Sequence, residues 1–137
     1  ELLLVMSDSG RGLLDCRTSA FIARDHEENF EFDIGNLEAE GIGSLKGQKI
    51  RTGGLYGGGL ATSTSDGWEL ERHPLSWPDD ELFLSSQGQS MLWTQHGTKI
   101  EITKLGGFIP EVRAYGFSSN GMILVIATSS DITVYAR

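Results

Sequence analysis

The apolar positions of this chain fall in short runs between breaks rich in glycine, serine and aspartate, and no run recurs at helical spacing. Residues 2–6 (Leu-Leu-Leu-Val-Met) form a continuous apolar run of strand length. The break at residues 7–12 predicts a turn, residues 13–17 a returning strand, Thr18-Ser19 a second turn and residues 20–24 a third strand. Phe30, Phe32 and Ile34 then alternate with Glu31 and Asp33, which predicts an acidic edge strand with one wet face. A loop should follow through residues 36–40, with at most one helical turn between Gly35 and Gly41. Residues 48–51 read as a short strand, and residues 53–59 as a loop or a strongly bulged strand because glycine dominates them.

The second half continues in the same material. Residues 60–64 and 68–72 predict a hairpin, and residues 75–81 end in a proline-led acidic turn. Residues 82–84 and 91–93 read as strands around a Gln87-Gly88-Gln89 turn, and the strict alternation of 99–104 predicts a half-exposed strand. Strands at 112–117, 122–127 and 132–135 close the chain. One segment is echoed: Ala61-Thr62-Ser63-Thr64-Ser65-Asp66-Gly67-Trp68-Glu69-Leu70 returns in shortened form as Ala127-Thr128-Ser129-Ser130-Asp131-Ile132-Thr133-Val134-Tyr135. The expected fold is therefore all-β, one domain over residues 1–137, built from repeated antiparallel hairpins and meanders.

Residues 112–135 carry Phe117-Ser118, an Asn120-Gly121 turn, a small-residue strand, a Ser130-Asp131 turn and a final β-branched strand. This stretch resembles a blade of the WD-type β-propellers. Residues 75–104 resemble a degraded second blade and residues 2–24 a partial third. Tyr135-Ala136 stands where the family has tryptophan-aspartate, and Gly116 replaces an apolar residue. The resemblance implies a propeller-like arrangement of about three blades. Propellers close with at least four, so closure would need a longer chain or a homodimer. A compact β-sandwich or barrel is the other way to bury such hairpins.

Composition narrows the chemistry. The 137 residues hold 18 glycines against three prolines, as turn-rich β proteins do. A net charge of −8 disfavours nucleic acid, whose phosphates demand a basic footprint, and favours encounter with basic proteins. No stretch approaches the roughly 20 apolar residues of a membrane-spanning helix, and no membrane partner is expected. Cys16 is the single cysteine, which excludes an intrachain disulfide and reads as a buried structural thiol. Glu1 already lies inside an apolar run, which suggests trimming or an upstream segment. The compartment stays open, with the cytoplasm favoured.

Catalytic signatures are missing. The glycines at 53–59 lack the lysine-serine or lysine-threonine ending and the helix of a phosphate loop, so no nucleotide cofactor is expected. His26, His73 and His96 fall in no metal-ligand spacing, so no metal site is expected. No Gly-x-Ser-x-Gly elbow is present, although a serine–histidine–acid triad could draw its members from anywhere. The strongest functional hint is the run from Asp25 to Glu40, seven acids with no lysine or arginine among them. Its plain reading is an edge strand blunted by charge. Its sharper reading is a recognition surface built from Glu27, Glu28, Glu31 and Asp33, with Phe30, Phe32 and Tyr56 as apolar anchors. The expected function is a non-catalytic protein-interaction module, of which an inhibitor of the bacterial immunity type acting on a basic partner is one instance. The alternative is a β-scaffold carbohydrate-binding protein or glycoside hydrolase, with Trp68, Trp77 or Trp93 stacking on sugar and Asp79, Asp80 and Glu81 supplying carboxylates.

Overall fold

Strand β1 (Leu2–Ser7) reverses through Asp8 and Ser9 into β2 (Gly10–Asp15), pairing from Ser7 with Gly10 to Leu2 with Asp15. The turn is shorter than the six-residue break predicted for it. Gly10 takes φ +109°, and a Cβ there would lie 2.1 Å from the Asp25 carbonyl oxygen, so only glycine lets the ladder start at once. Strand β3 (Ala20–Asp25) completes an antiparallel meander, with a bulge where Leu13 pairs Ala23 and Leu14 pairs Phe21. These coordinates are a computed structural model describing residues 1–27, 30–76, 79–86, 89–92, 101–106 and 111–137. Cys16 is buried as expected, one residue past the strand, and burial pushes its thiol up.

The second sheet runs β4 (Phe32–Asp33), β5 (Glu38–Glu40), β6 (Lys49–Arg51), with β4 at its edge. The loop expected at 36–40 is corrected here: residues 38–40 are the central strand. Leu37 adopts φ +55°, and the Asp33 carboxylate accepts hydrogen bonds from the Asn36 backbone and side-chain nitrogens at 3.0 and 2.8 Å. Those two features reverse the chain within residues 34–37, leaving Glu38 free to pair. The one helical piece among the described residues is a 3-10 turn at Gly43–Leu45. The glycine-rich segment resolves into a small hairpin, β7 (Gly53–Gly54) and β8 (Gly57–Gly58), with Leu55 and Tyr56 at its tip.

The remaining strands are β9 (Glu69–Ser76), β10 (Asp79–Ser85), β11 (Ile102–Leu105), β12 (Val112–Phe117), β13 (Ile123–Thr128) and β14 (Ile132–Ala136). They form two meanders, β9-β10-β11 and β12-β13-β14. The acidic turn predicted over 79–81 is instead the start of β10. Arg72 pairs with Asp80 and Lys104 with Glu81, so the flanking strands supply the cations that let an acidic segment enter a sheet. Pro74 lies opposite the register shift between Asp79 and Glu81, where its missing N–H costs nothing. The strand predicted at 91–93 is not formed at Met91 and Leu92, which bend; Trp93 lies outside the described residues.

Two compact units result, one spanning Glu1–Gly58 and the other Gly59–Tyr135 with Arg137. In the first, Leu13, Leu14, Cys16, Ala39 and Ile42 are buried. In the second, Leu70, Leu82, Leu105, Val112, Phe117, Leu124 and Ile126 form one cluster, with Trp68, Leu84 and Tyr115 against it. The segment 61–63 stitches its two sheets: Ala61 bridges to Phe117 and Ser63 to Glu69. This departs from the simple hairpin predicted over 60–72, because Ala61 turns to β12 instead of β9. The two echoed segments share a turn device. Thr64 Oγ1 accepts from the Trp68 N–H at 2.9 Å, and Thr128 Oγ1 from the Asp131 N–H at 3.0 Å.

The stitch requires glycine at 116. Its φ is +145°, and a Cβ would lie 2.5 Å from Leu60 Cβ and 2.7 Å from the Ala61 carbonyl oxygen. Gly116→Ala should therefore destabilise the fold by about 2–4 kcal/mol in denaturant melts, through both strain and clash. Gly47→Ala, with φ +81° and nothing within 4 Å, should cost only about 1–2 kcal/mol from backbone strain. Equal costs for the two would remove the packing role of Gly116.

Candidate functional site

The acidic run gains a counter-ion that lies outside it in sequence. Arg11, on β2, has a side chain only 10% exposed. Its Nη2 donates to Asp25 Oδ2 at 2.5 Å and its Nη1 to the Glu40 carbonyl oxygen at 3.1 Å. The guanidinium also lies 3.8 Å from the Glu27 carboxylate and 5.1 Å from the centre of the Phe30 ring. Its Nε is buried without a hydrogen-bond partner among the described residues. A buried cation is costly unless paired, and these contacts are what make its burial tolerable. Asp25 is held below the usual carboxylate range, first by the Glu27 N–H, which donates to Oδ1 at 2.9 Å, and next by Arg11.

Farther along the run, Glu31 and Asp33 are exposed, while Glu38 and Glu40 are half-buried. Pairing across the sheet places Phe32, Ala39 and Ile50 in one row, and Asp33, Glu38 and Arg51 in the next. Side chains of neighbouring rows alternate between faces, so one face is apolar and the other charged. Glu40 lies opposite Lys49 and Glu38 opposite Arg51, whereas β4 has no strand beyond it among the described residues. Glu31, Phe32, Asp33 and Lys49 line an open depression there. Asp33 is kept ionised below the usual range by the Asn36 side chain and backbone, with Lys49 adding a smaller pull. Glu31 is exposed and makes no hydrogen bond or ion pair among the described residues. Phe32 meets Tyr56 with ring centres 5.5 Å apart, and Tyr56 is 62% exposed.

The expected surface residues therefore sort into two groups. Phe30, Glu27 and Asp25 gather on Arg11; Glu31, Phe32, Asp33 and Tyr56 form the β4 edge. Glu28 lies outside the described residues. Arg11 was missed in the sequence because the β2–β3 and β4–β5 pairings, not proximity along the chain, bring it to the acids.

The residues of the sugar alternative are engaged elsewhere. Trp68 packs on the core with Arg137 5.1 Å from its ring centre, and Asp80 and Glu81 are paired with Arg72 and Lys104. Only the backbone of Asp79 is described, and Trp77 and Trp93 lie outside the described residues. His73 Nε2 lies 3.1 Å from Glu71 Oε2, which also accepts the Met91 N–H at 2.8 Å. Ser90 likewise bonds the Glu71 carboxylate, so serine and histidine both address the acid, an order unlike that of a nucleophilic triad. Among the described residues, no group of three or more histidine, cysteine, aspartate or glutamate side chains could hold a metal ion.

No protein-family model, no curated protein and no solved structure matches this chain.

A carboxylate with a depressed pKa stabilises the fold above its unfolded value and ceases to as the pH falls through the folded value. Acid should thus release Asp25 from Arg11 below pH ~4. In an NMR carboxyl titration, Asp25 should titrate below free aspartate, and Arg11→Met should move its midpoint upward part of the way. An unmoved midpoint would show that Arg11 does not engage Asp25.

Proposed function

We propose that this chain is a non-catalytic protein-interaction module whose acidic, partly aromatic surface captures a basic partner protein. The observation that carries this reading is the β4 edge, where two outward carboxylates, Glu31 and Asp33, adjoin the half-buried Phe32 and the exposed Tyr56 ring that meets it. Exposed aromatics anchor interfaces by burying area at small entropic cost, while flanking charge sets register and steers encounter. The net charge of −8 extends that steering over the whole molecule. An inhibitor of the immunity type, which neutralises a basic protein by covering it, is the concrete form we favour. Within the same proposal, the three-stranded meanders β12-β13-β14, β9-β10-β11 and β1-β2-β3 are read as propeller-type blades serving as scaffold.

An oligo-arginine peptide measured by calorimetry tests the reading. Affinity should fall steeply with salt, and Glu31→Lys should weaken binding about three- to tenfold. Glu101→Lys serves as a charge-matched control and should have a smaller effect. Equal losses for the two variants, or no binding at low salt, would overturn the assignment.

A further inference from the structure

The edge position of β4 specifies how a basic partner would be held. An edge strand carries backbone N–H and C=O groups that no neighbouring strand satisfies, and such edges are templates for strand addition. Among the described residues, β4 pairs on one side only, with β5. Register alternates its side chains: Asp33 shares a row with Glu38 and Arg51, Phe32 shares the next with Ala39 and Ile50, and Phe32 meets Tyr56. A strand laid against this edge would present alternate side chains to the two faces.

We infer that β4 accepts an extended segment of the partner by strand addition, and that this segment alternates basic and apolar residues. The inference rests on the proposed interaction function and adds the binding mode and the partner's local chemistry. Basic positions face Glu31 and Asp33, which the cross-strand cations Lys49 and Arg51 do not directly oppose: these stand across from Glu40 and Glu38. The apolar positions cover Phe32 and the exposed Tyr56 ring. A second copy of this chain is disfavoured as the occupant, because pairing two β4 edges sets Glu31 and Asp33 of one copy beside those of the other, and like charges directly across strands repel. Arginine suits the basic positions especially. Among the described residues, arginines already lie over the rings of Phe21, Phe30 and Trp68.

Three synthetic peptides of identical composition or charge separate this mode from general charge attraction. One alternates arginine and valine, one carries the same residues in two blocks, and one is the alternating peptide with its inward-facing amides N-methylated. The alternating peptide should bind at least about tenfold more tightly than either other, since N-methylation removes the main-chain bonds and blocking removes the register. Glu31→Lys should erase most of that advantage. Equal binding of all three would overturn strand addition and leave the acidic-surface reading standing. Binding of none at low salt would overturn both.

Discussion

The buried guanidinium of Arg11 is the constraint on which the first unit depends. It enters from β2, reaches the end of β3 through Asp25 and reaches β5 through the Glu40 carbonyl, so one side chain fastens two sheets. Its charge also divides the acidic run. Asp25 and Glu27 are drawn to the cation, while Glu31 and Asp33 lie farther along and face outward. Without that internal cation, Asp25 and Glu27 would lose their counter-ion, whereas Glu38 and Glu40 keep Arg51 and Lys49 across the sheet. With it, Asp25 and Glu27 become structural, while Asp33, bonded to Asn36, and Glu31 keep exposed charge at the β4 edge.

The second unit is held by different means. There, apolar burial dominates: Leu82 and Ile126 are fully buried, each worth about 1.5–3 kcal/mol, and segment 61–63 joins the two sheets over them. Its charges complete the sheets instead of facing a partner. Arg72 and Lys104 neutralise the acids of β10, and Arg137 donates to both oxygens of Asp66 at 3.2 and 2.5 Å while lying over Trp68. That double contact holds the Asp66 carboxyl well below the usual range. Acidic residues in this unit are thus largely spoken for, which is why the β4 edge stands out as the place for a basic partner.

The sequence was most readable where a local rule sufficed. Alternation at Phe30, Glu31, Phe32 and Asp33 marked the place of β4, although the strand itself is only Phe32–Asp33, and the paired runs at 112–128 marked β12 and β13. It was unreadable where a distant residue decided the outcome. Residues 36–40 look like a loop until Leu37 takes a left-handed conformation and Arg51, Ile50 and Lys49 arrive to pair with Glu38, Ala39 and Glu40. Asp79-Asp80-Glu81 looks like a turn because its cations sit on β9 and β11. Phe32 and Tyr56 could each be named as an apolar anchor, but their contact depends on the reversal at Leu55-Tyr56 between four glycines, whose shape no periodicity encodes. Arg11 is the plainest case: its partners lie up to 29 residues away.

The most direct test of this division of charge is a residue-resolved NMR titration of the chain with a short oligolysine peptide. Amide and ring shifts should concentrate on residues 30–34 and Tyr56, with Asp25 still bonded to Arg11 throughout. Shifts centred on Asp25 and Glu27, or on the β10 acids Asp80 and Glu81, would contradict it.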